Sequence, residues 1–101
     1  MKTGARMKRL IAGNWKMNAS LAGSEALVAA LRDGLRTAPP ACDVAVCVPA
    51  PYLAPAQGWL QGQGAVQLGA QDVSQHASGA YTGEVSADML RDFGVRYCIV
   101  G

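Results

Sequence analysis

The chain has 101 residues, of which 50% are hydrophobic and 16% charged, and a formal net charge of +2. This length suits one small domain with a modest core. The composition excludes a disordered chain, and no stretch approaches the roughly 18 consecutive apolar residues of a membrane-spanning helix.

The positive charge is unevenly placed. Lys2, Arg6, Lys8 and Arg9 precede the first apolar segment, and the rest carries five Lys or Arg against seven Asp or Glu. Residues 1–6 are expected to be a flexible, solvated basic extension. A nucleic-acid footprint would need a basic patch on a face or helix, so no nucleic-acid partner is expected. The segment has no apolar h-region and does not read as a targeting peptide. Arg9 to Gly13 is short and mostly apolar, as in a buried strand. Asn14-Trp-Lys-Met-Asn18 follows as a loop. Ser24 is read as the cap of a helix to about Thr37, with Leu27, Val28, Leu31 and Leu35 on its apolar face. Ala38-Pro39-Pro40 ends it, because the residue before proline resists the helical region.

Asp43 to Val48 is a continuous apolar run after its first residue and rich in β-branched side chains, the pattern of a strand covered on both faces. Pro49-Ala-Pro51 breaks it. Tyr52 to about Gln61 is read as a short helix with Leu53, Ala56 and Leu60 on one side. Val66 to Ala70 is the next strand, and Gln71 to Thr82 a long polar loop. Ser86 is read as the cap of a helix from Ala87 to about Phe93, with Met89, Leu90 and Phe93 apolar and Gly94 closing it. Val95 to Val100 is the last predicted strand. The order β-α-β-α-β-α-β, with strands starting near 9, 43, 66 and 95, predicts a parallel α/β sheet with right-handed crossovers. A doubly wound sheet and part of a (β/α)8 barrel both fit. The barrel makes the length notable, since it needs roughly 250 residues.

Cys42, Cys47 and Cys98 make an odd count without CxxC or metal-ligand spacing. Cys47 and Cys98 lie in apolar runs, where a free thiol behaves as a small hydrophobe. A reducing, cytoplasmic setting follows.

In both architectures ligands gather at the C-terminal ends of parallel strands. Asn14 and Lys16, Pro49 to Tyr52, and Gln71 to Glu84 fall there. Lys16 is the strongest candidate, because a lysine three residues past an apolar strand has no packing role. It can place a positive charge over a phosphate or an enolate-like oxygen. Asn14 offers an amide to fix a ligand oxygen or orient the lysine. There is no GxGxxG after the first strand and no Walker motif. His76 has no Cys or His at metal spacing, and Ser74 and Ser78 have no base for nucleophilic catalysis. Trp15 and Trp59 read as packing residues. Thr82-Gly83-Glu84 reads as a turn leading into the helix or as a tip contact.

Ala12-Gly-Asn-Trp-Lys-Met-Asn18 closely resembles the N-terminal signature of the triosephosphate isomerase family. Gly69-Ala-Gln-Asp-Val73, Gly79-Ala-Tyr-Thr-Gly-Glu-Val-Ser86, Asp92-Phe-Gly-Val95 and Tyr97-Cys-Ile-Val-Gly101 extend the resemblance in order over about residues 7–101. It implies a (β/α)8 barrel of which this chain supplies the first three βα units and the fourth strand. Residues 7–101 would then be the N-terminal part of a single barrel domain, incomplete at Gly101. The implied reaction interconverts dihydroxyacetone phosphate and D-glyceraldehyde 3-phosphate through an enediolate, in glycolysis and gluconeogenesis, with no metal or organic cofactor.

By the same resemblance Asn14 is the substrate-binding asparagine. Lys16 is the catalytic lysine that holds the phosphate-bearing triose and balances charge. Gln71 supports the lysine's surroundings, and Tyr52 matches an aromatic of the second loop. Thr82, Gly83 and Glu84 belong to a third loop that inserts into the other subunit of a homodimer, where it meets the first loop at Met17. The family's catalytic histidine follows the glycine matching Gly101, and its base glutamate lies later. The chain alone is therefore expected to be inactive, poorly soluble and dependent on the remaining barrel. The competing reading is a small non-catalytic α/β module that holds an anion with Asn14 and Lys16.

Overall fold

Four strands and three helices alternate along the chain in a computed structural model that describes residues 9–38 and 41–101. The expected extension over 1–6 and the Pro39-Pro40 helix stop lie outside these residues. The elements are β1 (Leu10–Asn14), α1 (Leu21–Thr37), β2 (Asp43–Val48), α2 (Leu53–Trp59) after a 3-10 turn at Ala50–Tyr52, β3 (Val66–Ala70), α3 (Ala87–Asp92) and β4 (Val95–Cys98). All three strand pairings are parallel, in the order β1-β2-β3-β4. A doubly wound sheet reverses strand order at a switch point, whereas a barrel adds each strand beside the last. The unbroken order is that of a partial (β/α)8 barrel.

Register assigns the two faces, because partners in a ladder project to the same side. Val44, Val46 and Val48 stand beside Val66, Leu68 and Ala70. These six join Val28, Leu53, Ala56, Leu60 and Leu90 in one buried cluster between sheet and helices. The opposite, concave-side row runs through Ala12, Asn14, Ala45, Cys47 and Gly69. Continuous apolar sequence in β2 thus reflects burial on both faces, and Val44 to Val48 are all buried. Every residue of β1 is exposed, including Ile11 on the helix-side row, because β1 is an edge with β2 as its sole neighbour. Trp15 and Trp59 pack against the cluster as expected.

The start of α1 corrects the sequence reading. Ser20, not Ser24, is the cap: its backbone is extended and its Oγ accepts from the Gly23 N–H at 3.2 Å. Ser24 lies inside the first turn, 4% exposed, and its Oγ accepts from the Ser20 N–H at 3.3 Å. Both bonds lie at the N-terminal end of the helix, one to the Gly23 N–H and one to the Ser20 N–H, a variant of the capping box. A Cβ at Gly23 would stand 2.9 Å from Ser20 Oγ, so glycine makes room for the cap. Leu27 and Met89 are also corrections, being about half exposed on helices whose buried stripes are narrower than expected.

Ser86 does cap α3, accepting from the Met89 N–H at 3.2 Å, and Gly94 closes it at φ +73. β4 ends at Cys98, two residues short of the expected Val100, although the Ile99 N–H still bonds the Ala70 carbonyl at 3.0 Å. Its register skips between Leu68 and Gly69, leaving Arg96 as the extra residue of a bulge.

Gly69 sits where the sheet is tightest. A Cβ there would fall 2.5 Å from Cys47 Sγ and 3.4 Å from the carbonyl oxygens of Val46 and Tyr97. Cys47 is 1% exposed and has nowhere to retreat. Gly69→Ala is expected to destabilise the fold by about 1–3 kcal/mol, the usual cost of overpacking. The denaturation midpoint reads this, and Cys47→Ala in the same chain should recover most of the loss. An unchanged midpoint for Gly69→Ala alone would mean that β2 and β3 part freely.

Candidate functional site

The first loop begins where β1 ends, beside the C-terminal ends of β2 and β3. Asn14 still pairs with Cys47 in the ladder, and the Trp15 N–H donates to the Cys47 carbonyl at 3.1 Å. The chain then turns sharply. Lys16 has φ +55 and is, among the described residues, the one non-glycine at positive φ. A left-handed backbone costs an L-residue roughly 1–2 kcal/mol, so neighbouring bonds must hold it.

Two side chains supply them. Asn14 Oδ1 accepts from the Lys16 N–H at 2.8 Å, the side-chain turn that asparagine makes readily. Gln71, one residue beyond β3, donates from Nε2 to the Lys16 carbonyl at 2.8 Å and to the Cys47 carbonyl at 3.0 Å. One amide thereby ties the ends of β1, β2 and β3 together. Asn18 closes the loop through its N–H and Nδ2, both bonded to the Trp15 carbonyl. Tyr52 Oη reaches the Ala19 carbonyl at 3.4 Å, a contact between the second segment and the first loop.

Lys16 itself is exposed, and among the described residues no carboxylate lies within ion-pair distance of its ammonium. The arrangement fixes the backbone of a lysine whose charge stays unneutralised at the strand ends. Such a charge attracts an anion and stabilises negative charge that develops on a bound oxygen. Asn14, Lys16 and Gln71 are thus brought together from positions up to 57 residues apart in sequence.

Met17, in the first loop, and Thr82, Gly83 and Glu84, in the third, lie at the surface outside this network. Met17 is 94% exposed, and the three loop residues are exposed as well. The third loop is held by bonds that sequence reasoning missed. Ser74 Oγ donates to Glu84 Oε1 at 2.6 Å and accepts from the His76 N–H at 3.0 Å. The Ser74 N–H donates to the Val85 carbonyl at 2.8 Å, and the Glu84 N–H to the Tyr81 carbonyl at 3.0 Å. The rings of His76 and Tyr81 stack in parallel, with centroids 3.8 Å apart. No periodicity marks such contacts; the cue in sequence is a serine and a carboxylate flanking a glycine-rich loop.

Beneath this loop lies a cleft of about 550 Å³, bordered by Val48, Leu53, Val85, Leu90, Gln71 and Asp72. Much of its lining belongs to the helix-side core, and Asn14 and Lys16 do not line it. Gln71 borders both regions. The two thiols near the strand ends are poor nucleophiles. Burial pushes Cys47 up from its ordinary pKa, with a further contribution from Cys98; burial and then Asp72 push Cys98 up. Among the described residues no three His, Cys, Asp or Glu side chains cluster as metal ligands, and no helix is long and apolar enough to cross a membrane.

Parallel strands in barrel order, with a cationic loop at their C-terminal ends, place the chain among (β/α)8-barrel proteins. The comparisons narrow this. The sequence model of the family described as triosephosphate isomerase matches residues 9–101. The triosephosphate isomerase of Albidiferax ferrireducens is 62% identical over 94 residues, covering 93% of this chain and 37% of that protein. That of Bordetella pertussis is 52% identical over 101 residues, covering all of this chain and 40% of that protein. The crystal structure of triosephosphate isomerase from Bartonella henselae superposes with a TM-score of 0.83 at 35% identity, over 94% of this chain and 38% of that one. The chain belongs to the triosephosphate isomerase family. It spans about two fifths of the length of the curated relatives it matches.

Proposed function

We propose that this chain is the N-terminal part, over about residues 7–101, of a single barrel domain. In the whole protein that domain would interconvert dihydroxyacetone phosphate and D-glyceraldehyde 3-phosphate. The observation that carries the reading is Lys16, pinned through Asn14 and Gln71 at the ends of three parallel strands with its charge left free.

A triose phosphate brings a dianionic group and a carbonyl that becomes an enediolate when the neighbouring carbon loses a proton. Lys16 holds the phosphate-bearing substrate by charge and offsets the negative charge that develops in the transition state. The Asn14 amide fixes a substrate oxygen, and Gln71 keeps the lysine's backbone in its unusual turn. Proton transfer belongs to a glutamate and a histidine that the family places after Gly101. The reaction needs no metal or organic cofactor. The third loop, with Thr82, Gly83 and Glu84, would enter the other subunit of a homodimer near Met17. The setting would be cytoplasmic. A non-catalytic anion-binding module would rest on the same two residues, and family membership favours the enzyme.

The test is a full-length chimera in which this chain replaces the matching segment of the Albidiferax ferrireducens relative. It is expected to turn over both triose phosphates at a rate within about tenfold of the parent. A purified, folded chimera more than a hundredfold below the parent would reject the reading.

A further inference from the structure

The third loop is unusually well braced for an exposed segment. Its two ends are joined by the Ser74–Glu84 hydrogen bond at 2.6 Å and by the bond from the Ser74 N–H to the Val85 carbonyl. Within that frame the His76 ring lies flat on Tyr81, with centroids 3.8 Å apart and an interplanar angle of 1°. Stacking this close depends on Gly79, which has φ +131 and whose Cβ would stand 2.8 Å from the Tyr81 ring. Tyr81 immediately precedes Thr82, and its carbonyl accepts from the Glu84 N–H, closing the Thr82-Gly83 turn. A chain of contacts therefore runs from the loop base through His76 to Tyr81 and the tip.

We infer that His76 is a positioning residue: by stacking on Tyr81 it holds the Thr82-Gly83-Glu84 tip in the shape that docks on a second copy of the protein. The inference rests on the proposed dimer and assigns His76 no contact with substrate. A protruding loop loses conformational freedom when it docks, and ordering it beforehand removes part of that cost. The ring face matters here, because the backbone N–H of His76 alone bonds Ser74.

The experiment compares His76→Ala with His76→Phe in the full-length chimera. Dimer dissociation constants come from dilution, and thermal midpoints are measured alongside. His76→Ala should weaken association about 3- to 10-fold, the range expected for one aromatic pair. His76→Phe keeps a ring over Tyr81 and should stay within about twofold of the unaltered chimera. If the unaltered chimera is monomeric, the dimer reading falls, and this inference with it. If it is dimeric and His76→Ala associates normally, the role of His76 alone is overturned. Equal weakening by both variants overturns it too, because the imidazole's polarity rather than its stacking would then matter.

Discussion

The 101 residues, purified free of host enzyme, are expected to show no isomerase turnover. Enolisation needs a group to remove a carbon-bound proton and another to manage the carbonyl oxygen. Positioned acid–base groups contribute typically 10²–10⁴-fold each in enzymes. The local candidates are committed elsewhere. Glu84 is hydrogen-bonded to Ser74 at the foot of the third loop, and His76 is stacked on Tyr81. Asp72 borders the cleft beneath that loop, which Lys16 does not line. Burial pushes the Cys47 and Cys98 thiols up, which disfavours their thiolates. In the proposed role Lys16 would gather substrate and stabilise charge, but no base among the described residues is placed beside it to start the reaction. The measurement is a coupled assay in both directions, with Lys16→Met as the control. Turnover above that control would show that a base has been overlooked among these residues.

Replacing Lys16 by methionine in the full-length chimera should lower kcat/KM by about 10²–10³, the loss typical of removing one group that stabilises developing charge. Methionine keeps the length and apolar character of the stem and deletes the charge. The side chain is exposed and makes no ion pair among the described residues, so the thermal midpoint should stay near that of the chimera. This separation of activity from stability distinguishes a chemical role from a structural one. A Lys16→Met chimera with more than a tenth of the activity would move the essential charge elsewhere.

How much of this was legible beforehand depends on the residue. β2 and β3 occupy the predicted ranges, because the valine-rich run of β2 stops at Pro49 and the short segment Val66 to Ala70 is bounded by Gly64 and the polar loop from Gln71. The cap of α3 at Ser86 was legible because an apolar helical pattern begins right after it. The cap of α1 was not. Ser20 and Ser24 are both good capping residues, and Gly23 between them disguises the first turn. Local propensity cannot decide which serine is extended until the Gly23 N–H has found its acceptor.

At the site, Lys16 and Asn14 stood out because polar residues at the end of a short apolar run have no packing reason to be there, although the run itself proved to be an exposed edge strand. Gln71 was recognised only through the family resemblance. Its bonds to Lys16 and Cys47 join strands distant in sequence, and they exist only once β1, β2 and β3 lie side by side. The stack of His76 on Tyr81 is equally invisible to periodicity, since an irregular loop has none. The family resemblance located the loop and its tip but not what stiffens it.

The left-handed turn at Lys16 has a consequence for how that position can change over generations. Stability and chemistry rank the amino acids there in opposite orders. Glycine, free of a Cβ, relaxes the backbone, and asparagine tolerates it better than lysine does. Selection for a sturdier fold alone would drift position 16 toward those residues. In the proposed function the anion that Lys16 would meet is what rewards a charge at a position the turn penalises. Asn14 and Gln71 bond residue 16 only through its backbone, so a glycine or asparagine there could keep both bonds and lose only the charge.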